Sequence, residues 1–417
     1  MEWLGEIPAG WDIWKIAHSF DLIGSGTTPP SDFSKWYDGT IHWVTTSELR
    51  ENVICDTENK VTIDALKEFS PLKIFPEDTL LIAMYGATIG RLGILKVNAC
   101  TNQACCALAK AMTLDPKFTY YWFWAFREQI ISLSSGGGQP NINQEKIKGL
   151  RVPAPIISEQ RAIAAFLDRE TARLDALVEK KRRLIALLEE KRAAVISRAV
   201  TRGLDESAPM KDSGVEWLGE IPAGWEVRRL KNIAPVSSEK LSEKPFGLAY
   251  LGLEHIESKT GCLLLDAPVE DVDSNMSVFE KGDVLFGKLR PYLAKVVHAN
   301  SDGVCTTELL VLKPNSTSEG HFLFYQLLSD GFILLVNSMT YGTKMPRASG
   351  EQIGNIVVPL PNLLEQRAIA AFLDRETTKI DTLIAKIHEA IAKLQEYRTA
   401  LISAAVTGKI DVREANP

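Results

Sequence analysis

The sequence predicts an α+β protein with a pseudo-twofold internal repeat, in which two mixed α/β domains are separated by two long antiparallel coiled-coil helices. Two phrases predict the repeat: EWLGEIPAGW occurs at Glu2–Trp11 and Glu216–Trp225, and EQRAIAAFLDRET at Glu159–Thr171 and Glu365–Thr377. Repeats with so long a period are duplicated domains, because the units of solenoid proteins run to only about 20–50 residues. The segments between the phrases are near-equal in length but share little identity, which favours two variable domains on a constant frame.

The order of these features divides the chain into six segments. They are a first mixed domain (1–158), a first long helix (159–203), a polar linker rich in Gly, Ser and Pro (204–215), a second mixed domain (216–364), a second long helix (365–410) and a polar tail expected to lack order (411–417).

Each mixed domain combines short strands with one aromatic helical stretch. Runs such as Ile41–Thr45, Thr79–Ala83 and Val284–Gly287 are apolar or β-branched and are bounded by Gly, Pro, Asp or Asn, as strands are. The stretches Phe118–Ile131 and His321–Leu335 are predicted to be helical. Together they indicate an α+β domain with a small sheet.

Both long helices carry a seam of 3-4 spacing, typical of a coiled coil. The predicted seam residues are Leu174, Leu177, Lys181, Leu184, Leu188, Lys191 and Val195 in the first helix, and Ile380, Leu383, Ile387, Ala390, Leu394, Tyr397 and Leu401 in the second. Ser158 is the predicted N-cap of the first helix, and Gly203 and Gly408 are predicted to follow the ends of the two helices.

Helices of about 40 residues would be about 60 Å long, against an average of about 11–12 residues in globular proteins. We therefore predict that the two helices pair with each other in antiparallel fashion. The alternative, that each helix packs on its own domain, is less favoured because about four heptads exceed the length of a small domain.

Composition and charge restrict the function. The net charge of −6 argues against a protein that coats nucleic acid by bulk attraction, but it leaves room for local basic loops. No stretch approaches the roughly 20 apolar residues of a membrane span, and the start of the chain does not resemble a signal peptide, so a cytoplasmic location is expected. The six cysteines form no C-x-x-C pair, which argues against zinc, and the matching Cys100 and Cys305 are predicted to be buried core residues.

Motifs for catalysis are missing from the sequence. A P-loop requires Gly-Lys-Ser/Thr after its glycine turn, whereas Gly287-Lys288 is followed by Leu289. We found neither a Gly-rich turn opening a βαβ unit nor an amino-methyltransferase motif. The chain is therefore predicted to have no catalytic residues and no cofactor or metal of its own.

Two recurring loops instead offer hydrogen-bond donors to a polyanion. The loops are MYGATIGRLGIL, from Met84 to Leu95, and FGKLRPYLAKVV, from Phe286 to Val297. Their candidate contacts to phosphates or base edges are Thr88, Arg91, Lys288, Arg290, Tyr292 and Lys295. An ordinary Gly/Pro hairpin with a solvated charged face explains these loops about as well.

A second recurring element precedes each long helix. Its candidate base-edge donors are Gln139, Asn141 and Asn143 in the first half, and Lys344 and Arg347 in the second. Amide side chains suit adenine, whereas Arg and Lys suit guanine. The prolines shared by the two copies favour an alternative in which the element caps the helix and docks the domain on it, and the two interpretations are compatible.

Two further patterns are interpreted as structural parts of the protein rather than as DNA-binding surface. The cluster Lys180–Arg183 places Lys181 on the seam and its neighbours on the flanks, which favours a solvated or partner-facing helix surface. The repeated tryptophans are predicted to clamp the start of each domain onto a long helix; they are Trp3, Trp11, Trp217 and Trp225.

On these residues the chain resembles the specificity subunits, or HsdS family, of type I restriction–modification systems. The match rests on the duplicated WLGEIPAGW, the G-A-T-I-G and K-L-R-P-Y loops, the Gly-Pro-VPxP lead-ins and the EQRAIAAFLDRET helices, and it spans essentially the whole chain. Individually these motifs are modest, but duplicated in order they are specific.

The resemblance implies a division of labour. Each mixed domain would be a target-recognition domain that reads one half of a bipartite double-stranded DNA sequence, and the helices would set the unread interval. Two modification subunits would carry S-adenosylmethionine and flip an adenine for N6-methylation, and motor and nuclease subunits would use ATP and Mg²⁺. The alternative from another class is a coiled-coil scaffold or regulator that binds only protein partners.

Overall fold

The computed structural model describes residues 6–134, 141–242, 248–264 and 275–412. Within these ranges the chain forms two compact units: unit 1 runs to Lys180 and resumes at Glu389, and unit 2 comprises Lys181–His388. Each unit combines several small sheets with helices, which confirms the predicted α+β class.

The described residues of unit 1 form ten strands and five short α-helices, and a long α-helix starts among them. The strands are β1 (Asp12–Lys15), β2 (Phe20–Gly24), β3 (Tyr37–Val44), β4 (Asn52–Ile54), β5 (Lys60–Val61), β6 (Leu80–Ala83), β7 (Leu92–Leu95), β8 (Ala99–Thr101), β9 (Cys105–Ala111) and β10 (Arg151–Ala154). The helices are α1 (Ile16–Ser19), α2 (Ile63–Glu68), α3 (Pro116–Ala125), α4 (Arg127–Ser132), α5 (Gln144–Gly149) and the long α6 (Ile157–Arg202).

The main sheet of unit 1 has the order β2-β9-β6-β7-β4, in which β6 is antiparallel to both β7 and β9. Its apolar face packs on α3, where Phe118 and Trp122 are fully buried with Leu80 and Ile82 of β6. A second sheet, β5-β3-β8, and the pair β1-β10 complete the unit.

Unit 2 repeats this plan with different strands. Its strands are β11 (Met210–Asp212), β12 (Glu220–Pro222), β13 (Glu226–Arg229), β14 (Lys240–Leu241), β15 (Ala249–Leu251), β16 (Met276–Phe279), β17 (Val284–Gly287), β18 (Val296–His298), β19 (Gly303–Thr306), β20 (Leu309–Leu312) and β21 (Val357–Leu360). Its helices are α7 (Leu230–Ile233), α8 (Gly320–Leu328), α9 (Asp330–Ser338), α10 (Gly350–Asn355) and the long α11 (Leu363–Val406), which ends in unit 1.

The sheets of unit 2 are β14-β16-β19-β15, β18-β17-β20, β13-β21 and β11-β12. The strands predicted at Thr79–Ala83 and Val284–Gly287 are confirmed as β6 and β17, and the strand predicted at Ile41–Thr45 falls mostly within β3. The predicted aromatic helices are also present, but each is broken in two, at Phe126 between α3 and α4 and at Ser329 between α8 and α9. Residue 329 has extended backbone angles, φ −64° and ψ 141°, which end the first helix there.

The two long helices run antiparallel within each unit. In unit 1, Arg398 of α11 forms an ion pair with Asp175 of α6 (Nε to Oδ1, 3.0 Å). Ile402, further along α11, shares a buried cluster with Ile163, which is earlier in α6. In unit 2, Arg192 of α6 bonds Asp381 of α11 (Nε to Oδ1, 2.9 Å). The two ion pairs occupy corresponding positions of the repeat, so the predicted pairing is confirmed within each unit.

The predicted coiled-coil seam is correct at about half of its positions. Leu174, Lys181, Leu188 and Val195 are buried or half-buried as expected, and so are their counterparts Ile380, Ile387, Leu394 and Leu401. The prediction was wrong at the alternate positions of α6: Leu177 and Leu184 are 41% and 44% exposed and Lys191 is exposed, whereas the next residue in each case is buried. In α11, Leu383 and Tyr397 are likewise exposed, Ala390 is half-buried, and Ile391 beside it is buried.

The repeated phrase EQRAIAAFLDRET docks each long helix on the domain that precedes it. Gln160 is fully buried; its Nε2 donates to the carbonyl oxygens of Thr113 (2.9 Å) and Pro155 (2.8 Å), and its Oε1 accepts from the Asp115 N–H (2.7 Å). Gln366 makes the same three bonds in unit 2. The alternative of helix-on-domain packing therefore holds together with helix pairing.

A tyrosine completes each docking site. The Tyr121 hydroxyl donates to Asp168 Oδ1 at 2.8 Å, and in unit 2 Tyr325 donates to Asp374 Oδ1 at the same distance. Burial raises the pKa of both phenols, so they remain protonated donors at neutral pH.

Two of the four repeated tryptophans, Trp225 and Trp11, clamp the end of a long helix, as predicted. Trp225 is buried against Gly203, just beyond the end of α6, and its indole N–H donates to Glu365 Oε1 (2.9 Å). Trp11 occupies the matching place against Gly408, beyond the end of α11. Trp217 instead donates its N–H to the Val357 carbonyl, and Trp3 lies outside the described residues.

Three local predictions need correction. Ser158 lies inside the first turn of α6 rather than at its N-cap, because the Gln160 N–H already bonds the carbonyl of Ile156. The predicted linker is partly ordered, since β11 pairs with β12. The start of the tail is ordered too, because Val412 is buried in the unit 1 core, while residues 413–417 lie outside the described ranges.

Candidate nucleic-acid interface

In unit 1 the backbone brings the two predicted contact segments together. The first loop joins β6 to β7, and it is closed by a bond from the Ala83 N–H to the Arg91 carbonyl (2.9 Å). The Ile142 N–H donates to the Met84 carbonyl (2.8 Å), which lays the second segment along the first. Thr88 is half-buried, and Arg91 and Asn141 are exposed.

In unit 2 the same bonds recur between equivalent atoms. The Gly287 N–H donates to the Lys295 carbonyl (2.8 Å), and the Ala348 N–H donates to the Lys288 carbonyl (2.9 Å). A third bond, from the Lys288 N–H to the Glu308 carbonyl (3.0 Å), matches the bond from Met84 to Ala104 in unit 1. The two units therefore present one loop scaffold with different side chains.

Two of the predicted donors in unit 2 are used inside the domain. Lys295 Nζ donates to the Leu253 carbonyl (2.6 Å), and Arg347 Nη2 pairs with Glu308 Oε1 (2.9 Å). In unit 1, Asn143 accepts from the Lys146 N–H (2.9 Å) as the N-cap of α5. This last contact caps the short helix α5 and not the long helix, so it does not decide the capping alternative.

The other predicted cations of unit 2 are unpaired within the described residues. Lys288 is half-buried, Arg290 and Lys344 are exposed, and none of the three forms an ion pair with any carboxylate in the ranges that the structure describes. Tyr292, beside them, is 46% exposed. Gln139, the remaining predicted contact, lies outside the described residues.

Sequence reasoning missed Glu308, the acid that holds Arg347. The only signal was a carboxylate at the start of an otherwise apolar run, ELLVL, at a point where unit 1 has Ala104. A single acid of this kind becomes informative only when the fold places an arginine opposite it.

Other chemistry is not apparent near the loops. Cys100 and Cys305, at matching places on β8 and β19, are buried as predicted, and burial raises the pKa of each thiol to about 12. Thiols with so high a pKa are poor nucleophiles at neutral pH. The described residues contain no group of three or more His, Cys, Asp or Glu side chains suited to a metal ion, and none of their helices is long and apolar enough to cross a membrane.

A loop scaffold that recurs in two domains, with exposed cations on it, fits a DNA-binding protein with two reading domains. Comparison with known families supports this class and makes it specific. The model of the type I restriction modification DNA specificity domain matches residues 8–187 and again residues 222–393, which together cover most of the chain. The chain therefore belongs to the family of type I restriction–modification specificity subunits.

Similar proteins carry the same description. The chain is 26% identical to the type I restriction enzyme EcoDI specificity subunit of Escherichia coli, over 72% of either chain. It is 25% identical to the MjaIX specificity subunit of Methanocaldococcus jannaschii, over 99% of this chain and 96% of that one.

Among solved structures, a chain from a study of complex assembly and conformational transition in the type I R-M system has a TM-score of 0.73 at 17% identity, covering 97% of this chain and 100% of that one. The HsdS subunit from Thermoanaerobacter tengcongensis has a TM-score of 0.60 at 17% identity, over 97% and 98% of the two chains. These two likenesses concern the fold.

Proposed function

We propose that each unit reads one half of a bipartite DNA target on behalf of a restriction–modification complex, and that the chemistry resides on other chains. The observation that carries this proposal is the loop scaffold that the two units share. Identical backbone bonds hold Met84 and Lys288 in equivalent places, and Asn141 is equivalent to Arg347. One scaffold with two sets of side chains suits two readers of different sequences.

The unpaired cations support DNA as the ligand. Solvated lysines and arginines cost little on a surface, but a phosphate backbone binds them strongly, because binding releases condensed counterions. Lys288, Arg290 and Lys344 converge on one loop pair, and no carboxylate among the described residues neutralises them. The scaffold-only alternative gives these side chains no role.

The long helices are proposed to fix the interval between the two half-sites. Each of them contributes residues to both units, and each is docked by a buried glutamine and a tyrosine. Helices of 46 and 44 residues that are held in this way resist bending better than a peptide linker would.

The exposed leucines beside the seam are proposed to receive modification subunits. Leu177, Leu184, Leu187 and Leu383 are apolar but 41–53% exposed, which single-chain stability does not require. Because the frame phrases occur twice, we expect two methyltransferase subunits, which would supply S-adenosylmethionine and N6-methylation of adenine. A motor and nuclease chain using ATP and Mg²⁺ would complete the complex.

Adenine methylation of the host genome tests the proposal. Deleting the gene should remove methylation from one bipartite motif, and Lys344→Ala should alter or relax one half of that motif while leaving the other half unchanged. Lys281→Ala is the matched control. Lys281 is an exposed lysine of the same unit, but it precedes β17, whereas the candidate loop follows the other end of that strand.

Two results would contradict the proposal. If the methylated sites are the same with and without the gene, the chain does not direct methylation. If the purified chain never co-purifies with methyltransferase subunits, the scaffold alternative gains support.

A further inference from the structure

The two loops are left-handed at the same two positions but differ in the residues that they place there. In unit 1 the loop has left-handed backbone at two positions, and both are glycine: Gly86 (φ +78°) and Gly90 (φ +76°). The equivalent positions of unit 2 are also left-handed, but they hold Arg290 (φ +51°) and Ala294 (φ +46°). Non-glycine residues adopt this conformation only at an energetic cost.

Burial of the Ala294 side chain explains why a non-glycine residue occupies this left-handed position. Ala294 is 5% exposed and lies in the hydrophobic core of unit 2, so its buried methyl group offsets the unfavourable backbone angle. At Gly90, its counterpart, an added Cβ would lie 3.1 Å from side-chain carbons of Arg127 and Ile131, so these side chains would have to shift to make room for it.

The side chain of Arg290 makes no contact with the described part of the protein that would explain its left-handed backbone. It is exposed, and within the described ranges it makes no ion pair or side-chain hydrogen bond. Its backbone is nevertheless firmly held, because its N–H donates to the Pro346 carbonyl (2.7 Å) and Pro291 follows it. At the counterpart Gly86 no described atom lies within 4 Å of an added Cβ, so space alone does not demand glycine there.

Strained backbone that the surrounding structure does not repay is typical of functional positions. We infer that Arg290 is a phosphate anchor: its guanidinium binds the DNA backbone and sets the register of unit 2 on the duplex, without reading sequence. This inference rests on the proposed function and assigns one residue a role within it.

The charge around Arg290 favours phosphate over a base edge as the ligand. Lys288 and Lys344 lie on the same loop pair, so Arg290 belongs to a cluster of positive charge rather than to an isolated reading position. A permanently charged, planar guanidinium suits bidentate contact with a phosphate.

The variant Arg290→Gly tests the inference, because it removes the guanidinium and relieves the backbone together. The full chain, in complex with its modification subunits, is titrated with the cognate duplex and with an unrelated duplex at several salt concentrations. We expect weaker binding to both duplexes by a similar factor. The loss should shrink about 3.5-fold between 50 and 200 mM salt, since one phosphate contact contributes a log–log slope of about 0.9.

The melting temperature and a matched variant separate this role from a structural one. Arg290→Gly should not lower the melting temperature, because glycine accepts the left-handed angle. Ala294→Gly makes the same kind of backbone change three residues past Pro291 without removing a charge, and it should leave DNA affinity unchanged.

Several outcomes would overturn the inference. They are a loss confined to the cognate duplex, which would make Arg290 a base reader, an unchanged affinity and salt slope, or a lowered melting temperature. If the wild-type complex binds neither duplex, the proposed function fails with it, whereas the other three results leave the proposed function standing.

Discussion

Gln160, the buried glutamine that docks α6 on its domain, allows a direct test of how the long helix is attached. In Gln160→Glu, the new side chain keeps its shape, and one oxygen can still accept from the Asp115 N–H. The other oxygen would face the carbonyl oxygens of Thr113 and Pro155, which now lie 2.9 and 2.8 Å from the amide nitrogen. A carboxylate there is repelled by both carbonyls and is fully desolvated, so folding should require the protonated acid.

The magnitude follows from the cost of keeping the acid protonated. An unfolded Glu has a pKa near 4.3, and each pH unit above that costs about 1.4 kcal/mol, so the penalty at pH 7 is about 3–4 kcal/mol if the folded pKa exceeds 7. The folded pKa is raised, and the folded state therefore binds more protons than the unfolded state. Stability should accordingly be greatest below about pH 4.3 and fall as the pH rises.

Chemical denaturation between pH 4.5 and 8, with hydrogen exchange followed on peptides of α3 and α6, measures this effect. The equivalent Gln366→Glu should behave alike in unit 2 because it makes the same three bonds. Gln395→Glu, at an exposed position on α11, is the control and should show no such dependence. If Gln160→Glu differs from the wild type by the same amount at pH 5 and at pH 8, the reasoning from buried carbonyl contacts is refuted.

Two further predictions concern the seam and a buried histidine. Ile185→Lys should destabilise the protein by more than about 2 kcal/mol in chemical denaturation, whereas Leu184→Lys should change stability by about 0.5 kcal/mol or less. The reason is that residue 185 is 8% exposed and residue 184 is 44% exposed. Equal effects of the two substitutions would contradict the seam described above. Burial, and then the charge of His321, lower the pKa of His298, so the stability that depends on neutral His298 should be lost as the pH falls below about 6.5. His298→Ile, which copies Ile94 at the equivalent place in unit 1, should raise the melting temperature more at pH 5 than at pH 8, and an equal shift at both would argue against the histidine as the titrating group.

The sequence predicted the long helices but could not choose between two seams. Leu177 and Val178 are both apolar, as are Leu184 and Ile185, so 3-4 spacing fits either member of each pair. The choice depends on the facing helix. Arg192, rather than the equally basic residue before it, reaches Asp381, and only the packed pair of helices shows this.

The candidate interface was predictable in place but not in detail. Met84–Leu95 and the segment around Asn141 were each predicted to contact DNA, and backbone bonds show that they lie side by side. Which donors remain available could not be predicted, because their partners are distant in sequence. Arg347 is held by Glu308, 39 residues earlier, and Lys295 by a carbonyl 42 residues earlier. The DNA contacts themselves stay a prediction.

The two kinds of duplication in this chain have different physical origins. Gln160 and Gln366, which are identical in the two halves, each satisfy three backbone groups at once through their side chains. The loops are duplicated in their backbone, and the bonds that they share use main-chain N–H and C=O groups, which every residue except proline provides. It follows that the exposed side chains of the loops can differ without disturbing the backbone scaffold. A change in the loops should therefore alter what is read, whereas a change in a docking glutamine should alter whether the unit folds at all.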